Sequence, residues 1–194
     1  MKIIKILSDK MFPAVFWLCI MLAFDSPLVC FLSVISAAIH EIGHISAAAL
    51  MKNGKISMPR GTVWGLKIDT GRLLSYREEI FIAAGGPIIN IALFIILLPF
   101  FASEYLSLFA FLNLLSALTN LLPMRGTDGG RIVHAILSER LCRESADRII
   151  GHLTLAISST LTFISLSLLM LLGEGWWIFA FFFTVMLGEI LKSH

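Results

Sequence analysis

The sequence predicts an all-α membrane protein of six transmembrane helices, with a short cytoplasmic β-strand or hairpin segment after the second helix. Three observations predict it. Hydrophobic residues make up 58% of the 194 residues and charged residues only 14%, against about 25% charged in a soluble domain. The apolar residues fall in long blocks, approximately 11–24, 28–51, 79–102, 105–123, 150–172 and 176–191, and a spanning helix needs about 20 of them. If six spans alternate, all 15 Lys and Arg lie on one side, and the opposite connectors hold Asp25, Glu104 and Glu174. By the positive-inside rule both termini are then cytoplasmic. This composition argues against a soluble globular protein and excludes disorder. A formal net charge of +2 is too small to argue for nucleic acid.

Taken in order, Met1 to Ala23 has basic residues followed by an apolar stretch. No small-residue cleavage site follows before Asp25-Ser26-Pro27, so a retained first span is expected and not a signal peptide. The connectors at 25–27, 103–104 and 173–175 are short enough for tight helical hairpins. Residues 55–69 mix β-branched residues and Trp64 with Pro59, Gly61 and Gly65. That pattern predicts one or two short strands with a turn, and Pro59 suits an edge. Residues 131–149 place Ile132, Val133, Ile136, Leu137 and Leu141 at helical spacing between charges. An interfacial amphipathic helix leading into the fifth span is expected. Cys19, Cys30 and Cys142 form no C-x-x-C pair and give no disulfide framework. There is no internal repeat, so 1–194 reads as one domain.

The chemistry starts in the second span, at His40-Glu41-Ile42-Gly43-His44. On a helix, the two histidines lie one turn apart on one face and both imidazoles reach one ion. Glu41 sits beside them as a candidate general base. Three ionisable groups inside a span are costly, about 2.5–3.5 kcal/mol for a charged residue at the helix centre, and persist mostly where they have a task. A catalytic zinc site takes three protein ligands. Asn120-Leu121-Leu122-Pro123-Met124-Arg125-Gly126-Thr127-Asp128-Gly129-Gly130 closes the fourth span at a compatible depth. Pro123 ends regular helix bonding, and the glycines permit a turn carrying Asp128 back toward the bundle. Alone, Asp128 would read as an ordinary turn residue; beside an incomplete zinc site it becomes the third-ligand candidate.

H-E-x-x-H in one span with N-x-x-P-x-x-x-x-D-G in a later one resembles the site-2 protease family of intramembrane zinc metalloproteases. The resemblance implies one zinc ion held by His40, His44 and Asp128, with Glu41 as catalytic base and a catalytic core of about 28–130. The six-span layout is similar to the branch that processes a sporulation pro-sigma factor. That branch carries a C-terminal CBS domain, for which the sequence shows no counterpart, and no PDZ-like insertion is visible. Asn90, in Gly86-Pro87-Ile88-Ile89-Asn90, and Asn120 read from the residues alone as packing or helix-end groups; the resemblance implies that both contact substrate. It also implies regulated proteolysis of a membrane protein or membrane-associated peptide, in signalling or sporulation, within a bacterial cytoplasmic membrane. The strand-like 55–69 segment is either a solvated loop or an edge that pairs with extended substrate. A regulatory membrane partner or a homo-oligomer stays open. Two rivals remain: a zinc-binding membrane transporter, and an inactive family member acting as a scaffold. His134 is expected on the surface, His152 at the interface, and Glu189 snorkelling or paired with Lys192.

Overall fold

The computed structural model describes residues 27–51, 60–62, 65–67, 75–173 and 176–192. The apolar stretch 11–24 and most of the 55–69 segment lie outside the described residues. Helices occupy the other five stretches. They are α1 (Pro27–Met51), α2 (Tyr76–Leu97, extended by a 3-10 turn at Leu98–Phe100), α3 (Glu104–Asn120), α5 (Arg143–Leu172) and α6 (Trp176–Lys192). A shorter helix, α4 (Asp128–Ser138), joins α3 to α5. Strands β1 (Arg60–Thr62) and β2 (Gly65–Lys67) pair antiparallel between α1 and α2, with Gly61 opposite Leu66.

Among the described residues, three helical stretches are long and apolar enough to cross a membrane: Pro27–Met51, Tyr76–Phe100 and Arg143–Leu172. Helix α3 has 17 residues and is about 25 Å long, short of a hydrocarbon core of about 30 Å. Helix α6 also has 17 residues.

The distribution of side chains identifies the solvent. Phe31, Ile88, Phe163, Met170 and Leu171 are exposed, the last at 80%. The interior holds small and polar residues beside a few larger apolar ones: Ala48, Ala83 and Ala110 are buried, and Ser36, Asn90, Asn113, Thr154 and Ser158 are fully enclosed. In water this arrangement would leave the apolar effect unused on the outside and desolvate polar groups on the inside. In lipid the outer residues meet hydrocarbon, and small interior residues let helix backbones approach. The chain is therefore an integral membrane protein.

Local sequence sets the helix ends. Pro27 opens α1, where its missing N–H costs nothing. Ser75 caps α2 in a reciprocal pair: Glu78 N donates to its hydroxyl at 3.3 Å, and Ser75 N donates back to Glu78 Oε2 at 2.9 Å. Gly173, at φ 73°, ends α5 in the left-handed conformation.

The structure departs from the expected single amphipathic helix over 131–149. The chain forms α4 up to Ser138 and then restarts at Arg143, with Cys142 extended at φ −65°, ψ 147°. Leu141, counted into the apolar stripe, is exposed. A 3.6-residue pattern runs on through a break when the polar residues at the break also fit its period, so periodicity alone could not place this one.

Candidate metal centre

Helix α1 presents one buried face: Ser36, His40, Gly43, His44 and Ala47, at intervals of three and four residues. Helix α2 crosses that face where two backbones touch, because a Cβ on Gly43 would collide with the Gly85 carbonyl. One residue further on, a Cβ at Gly86 would lie 2.5 Å from His44 Nε2 and 2.6 Å from His40 Nε2. Glycine at 86 therefore leaves the room in which the two imidazoles sit. His44 Nδ1 lies 2.8 Å from the Ile82 carbonyl of α2. An N–H on Nδ1 donates there, which leaves Nε2 with its lone pair facing inward.

The third group arrives from α3 and the loop after it. Helix α3 ends at Asn120 ahead of Pro123, and Gly126 adopts φ 92°, a left-handed conformation that suits glycine. Thr127 then caps α4, accepting from Gly130 N at 3.1 Å. Asp128 is thus the first residue of α4 and not a free turn residue. Gly129 and Gly130 lie in the same first turn, where a Cβ on either would collide with a loop carbonyl, that of Leu121 or Met124.

His40 Nε2 lies 2.9 Å from Asp128 Oδ2, His44 Nε2 lies 3.1 Å from the same oxygen, and the two Nε2 atoms are 3.1 Å apart. All three residues are buried. Asp128 Oδ1 turns the other way, 3.5 Å from Arg131 Nη1. Burial works against charge on Asp128, but the two imidazoles beside it outweigh burial and hold its carboxyl at about 2, below the ordinary 3.8.

This geometry fits zinc. Ligand atoms at about 2.0–2.2 Å from a tetrahedral ion stand about 3.3–3.6 Å from each other, close to the observed triangle. A proton on His40 Nε2 points at one of its two neighbours and not at both. One divalent cation would satisfy all three lone pairs at once. His40 Nδ1 is buried without a hydrogen-bond partner among the described residues, so no described contact fixes its tautomer against metal binding at Nε2.

The remaining sequence candidates fall at different distances from this centre. Glu41 follows His40 on α1 and is half-buried. Asn90 is fully enclosed one turn after Gly86, and neither of its amide atoms has a partner among the described residues. Asn120 is committed locally, donating to the Ser116 carbonyl at 3.0 Å. The structure adds a tie that sequence reasoning missed: Ser36 donates to Asn113 Oδ1 at 3.0 Å, joining α1 to α3 one turn before His40. The i, i+4 spacing of Ser36 and His40 is the signal that places Ser36 on the same face.

Two smaller expectations are revised. Glu189 is buried and pairs with Arg125 at 3.0 Å. His134 is half-buried and faces Asp147 at 3.0 Å. In both cases a partner distant in sequence came within reach through helix packing.

Fold and site together define an integral membrane protein with a two-histidine, one-aspartate cluster enclosed in its helix bundle. The sequence model of Peptidase family M50 matches residues 101–165, about a third of the chain. That stretch contains Asn120, Pro123 and Asp128 and lies beyond His40 to His44. The solved site-2 protease from Methanocaldococcus jannaschii has a similar fold, with a TM-score of 0.64 and 22% identity, over 93% of this chain and 86% of that one. Among curated proteins there is no significant match. The chain resembles the site-2 protease family in the matched sequence and in fold.

Proposed function

We propose that this chain is a zinc-dependent intramembrane peptidase of the site-2 type, cleaving a membrane-associated substrate at or near the cytoplasmic face. The observation that carries it is the buried triangle of His40 Nε2, His44 Nε2 and Asp128 Oδ2, with edges of 2.9–3.1 Å, inside a lipid-facing bundle. A zinc ion held there would supply the Lewis acidity that brings water ionisation toward neutral pH.

The chain's own residues do the rest. Glu41 takes a proton from the attacking water and returns it to the departing amine. Ile82 keeps the His44 ring oriented through its carbonyl, at 2.8 Å. Arg131 holds the outer oxygen of Asp128, at 3.5 Å, which leaves the inner one facing the histidines. Asn90, with an enclosed amide that no described group satisfies, is suited to hold substrate backbone; Asn120, whose Nδ2 already donates to the Ser116 carbonyl, offers its Oδ1 at the end of α3 for a similar part. A helical substrate hides its carbonyls in its own hydrogen bonds and must unwind first. The β1–β2 ladder offers an edge on which an extended segment can pair. With six spans, including 11–24, both termini are cytoplasmic by the charge tally.

The test is co-expression with candidate substrates, followed by purification. Glu41→Gln abolishes cleavage and keeps zinc near one equivalent. Undiminished proteolysis by the purified Glu41→Gln chain overturns the mechanism.

A further inference from the structure

Arg125 ties the loop that delivers Asp128 to the C-terminal helices. It stands three residues before Asp128, on the other side of Gly126 and the Thr127 cap. Its backbone N–H donates to Thr154 Oγ1 on α5 at 2.8 Å. Its Nη2 donates to the Asp147 carbonyl at 2.6 Å, and its Nη1 pairs with Glu189 Oε1 on α6 at 3.0 Å. The Glu189 side chain is only 9% exposed. A carboxylate enclosed near the end of an apolar helix is costly without a partner. Gly151 of α5 makes room for the pair, since a Cβ there would stand 3.0 Å from Glu189 Oε1 and 3.1 Å from Arg125 Nη2.

The position of this pair matters because of how the bundle is joined. Helix α5 packs mainly on α6 and on α4, while α1, α2 and α3 pack on one another. The α5–α6 hairpin therefore reaches the two histidines chiefly through α4 and the loop before it, and Asp128 lies at their junction.

We propose that Arg125 is a positioning residue for the metal centre. With Glu189, Thr154 and the Asp147 carbonyl it latches the Asp128 loop to the α5–α6 hairpin. Displacing the hairpin then moves Asp128 relative to His40 and His44 and weakens metal binding. A substrate or regulator that parts α6 from the loop acts on the centre by the same route. This inference rests on the metal reading of the three residues.

The test uses the purified full chain in detergent, with zinc affinity measured by competition against a chromogenic chelator. Melting temperature is measured separately on the metal-free protein. Arg125→Gln and Glu189→Gln each weaken zinc affinity, about tenfold or more for loss of a supporting partner. Arg125→Lys, which keeps the charge, retains most of the affinity. Gly151→Ala and Thr154→Val press on the latch from α5 without removing a charge, and each weakens zinc binding to a smaller extent. Lower melting temperatures with wild-type zinc affinity would make the pair a purely structural anchor and overturn the proposal. If the charge variants fail to fold, unchanged zinc affinity in both Gly151→Ala and Thr154→Val overturns it as well. A wild-type chain without zinc affinity refutes the metal reading itself, a result distinct from all of these.

Discussion

Two regions of this bundle bury polar groups, and they do it in opposite ways. In α5, Ser158 donates to Leu155 O at 3.2 Å, Thr162 to Ser158 O at 2.7 Å and Ser165 to Thr162 O at 2.9 Å. Each hydroxyl there is satisfied by its own helix. In α1, the buried polar groups reach across the fold. Ser36 bonds Asn113, His44 bonds the Ile82 carbonyl, and His40 meets Asp128, over sequence separations of 77, 38 and 88 residues. A hydroxyl bonded to its own backbone three or four residues back can be buried anywhere in lipid and specifies nothing beyond close packing. A group satisfied only by another helix fixes where that helix must be. Burial of polarity does not mark a site here; the range of the partnership does.

The comparison breaks first at the cluster. On the proposed function, His44→Ala or Asp128→Ala removes one of the atoms that would hold zinc, and both zinc content by elemental analysis and proteolysis are lost. Retention of stoichiometric zinc in either variant would separate the cluster from metal binding. Next comes Gly86→Ala, which changes no ligand. Its Cβ would lie 2.5–2.6 Å from both Nε2 atoms, so either α2 or the imidazoles must move. Zinc affinity falls by an order of magnitude or more on the scale of perturbed supporting contacts, which metal competition reads directly.

Ser36→Ala sharpens the contrast further. It removes a bond between helices and costs about 0.6 kcal/mol, the average for side-chain hydrogen bonds within membranes, and at most about 1.7 kcal/mol. Ser158→Ala in α5 removes a hydroxyl bonded to Leu155 O within the same helix, at 3.2 Å, and shifts stability by less than the Ser36 change. Unfolding in mixed micelles measures both. Equal losses at 36 and 158 would erase the distinction between the two regions.

Much of this was legible before any coordinates. The apolar blocks foretold the helices from Pro27 to Lys192, because lipid leaves a spanning backbone few alternatives to satisfying its own hydrogen bonds. The i, i+4 pair His40 and His44 had to share a face. The break at 139–142 was not legible, because apolar spacing continued through it. Glu189 was read as snorkelling or paired with Lys192, whose side chain lies outside the described residues; the structure buries it against Arg125, a partner no local pattern could name.

By itself the sequence determined the membrane class, the helical material and the side chains available to hold an ion. Those depend on composition and on a period of a few residues, which act locally. Tertiary structure decided that Asp128 reaches His40 over 88 intervening steps of chain, that Ile82 orients His44, and that Gly86 supplies the space for both rings. Such pairings arise only when helices pack, because the angle and depth at which two helices cross are fixed by the residues of both.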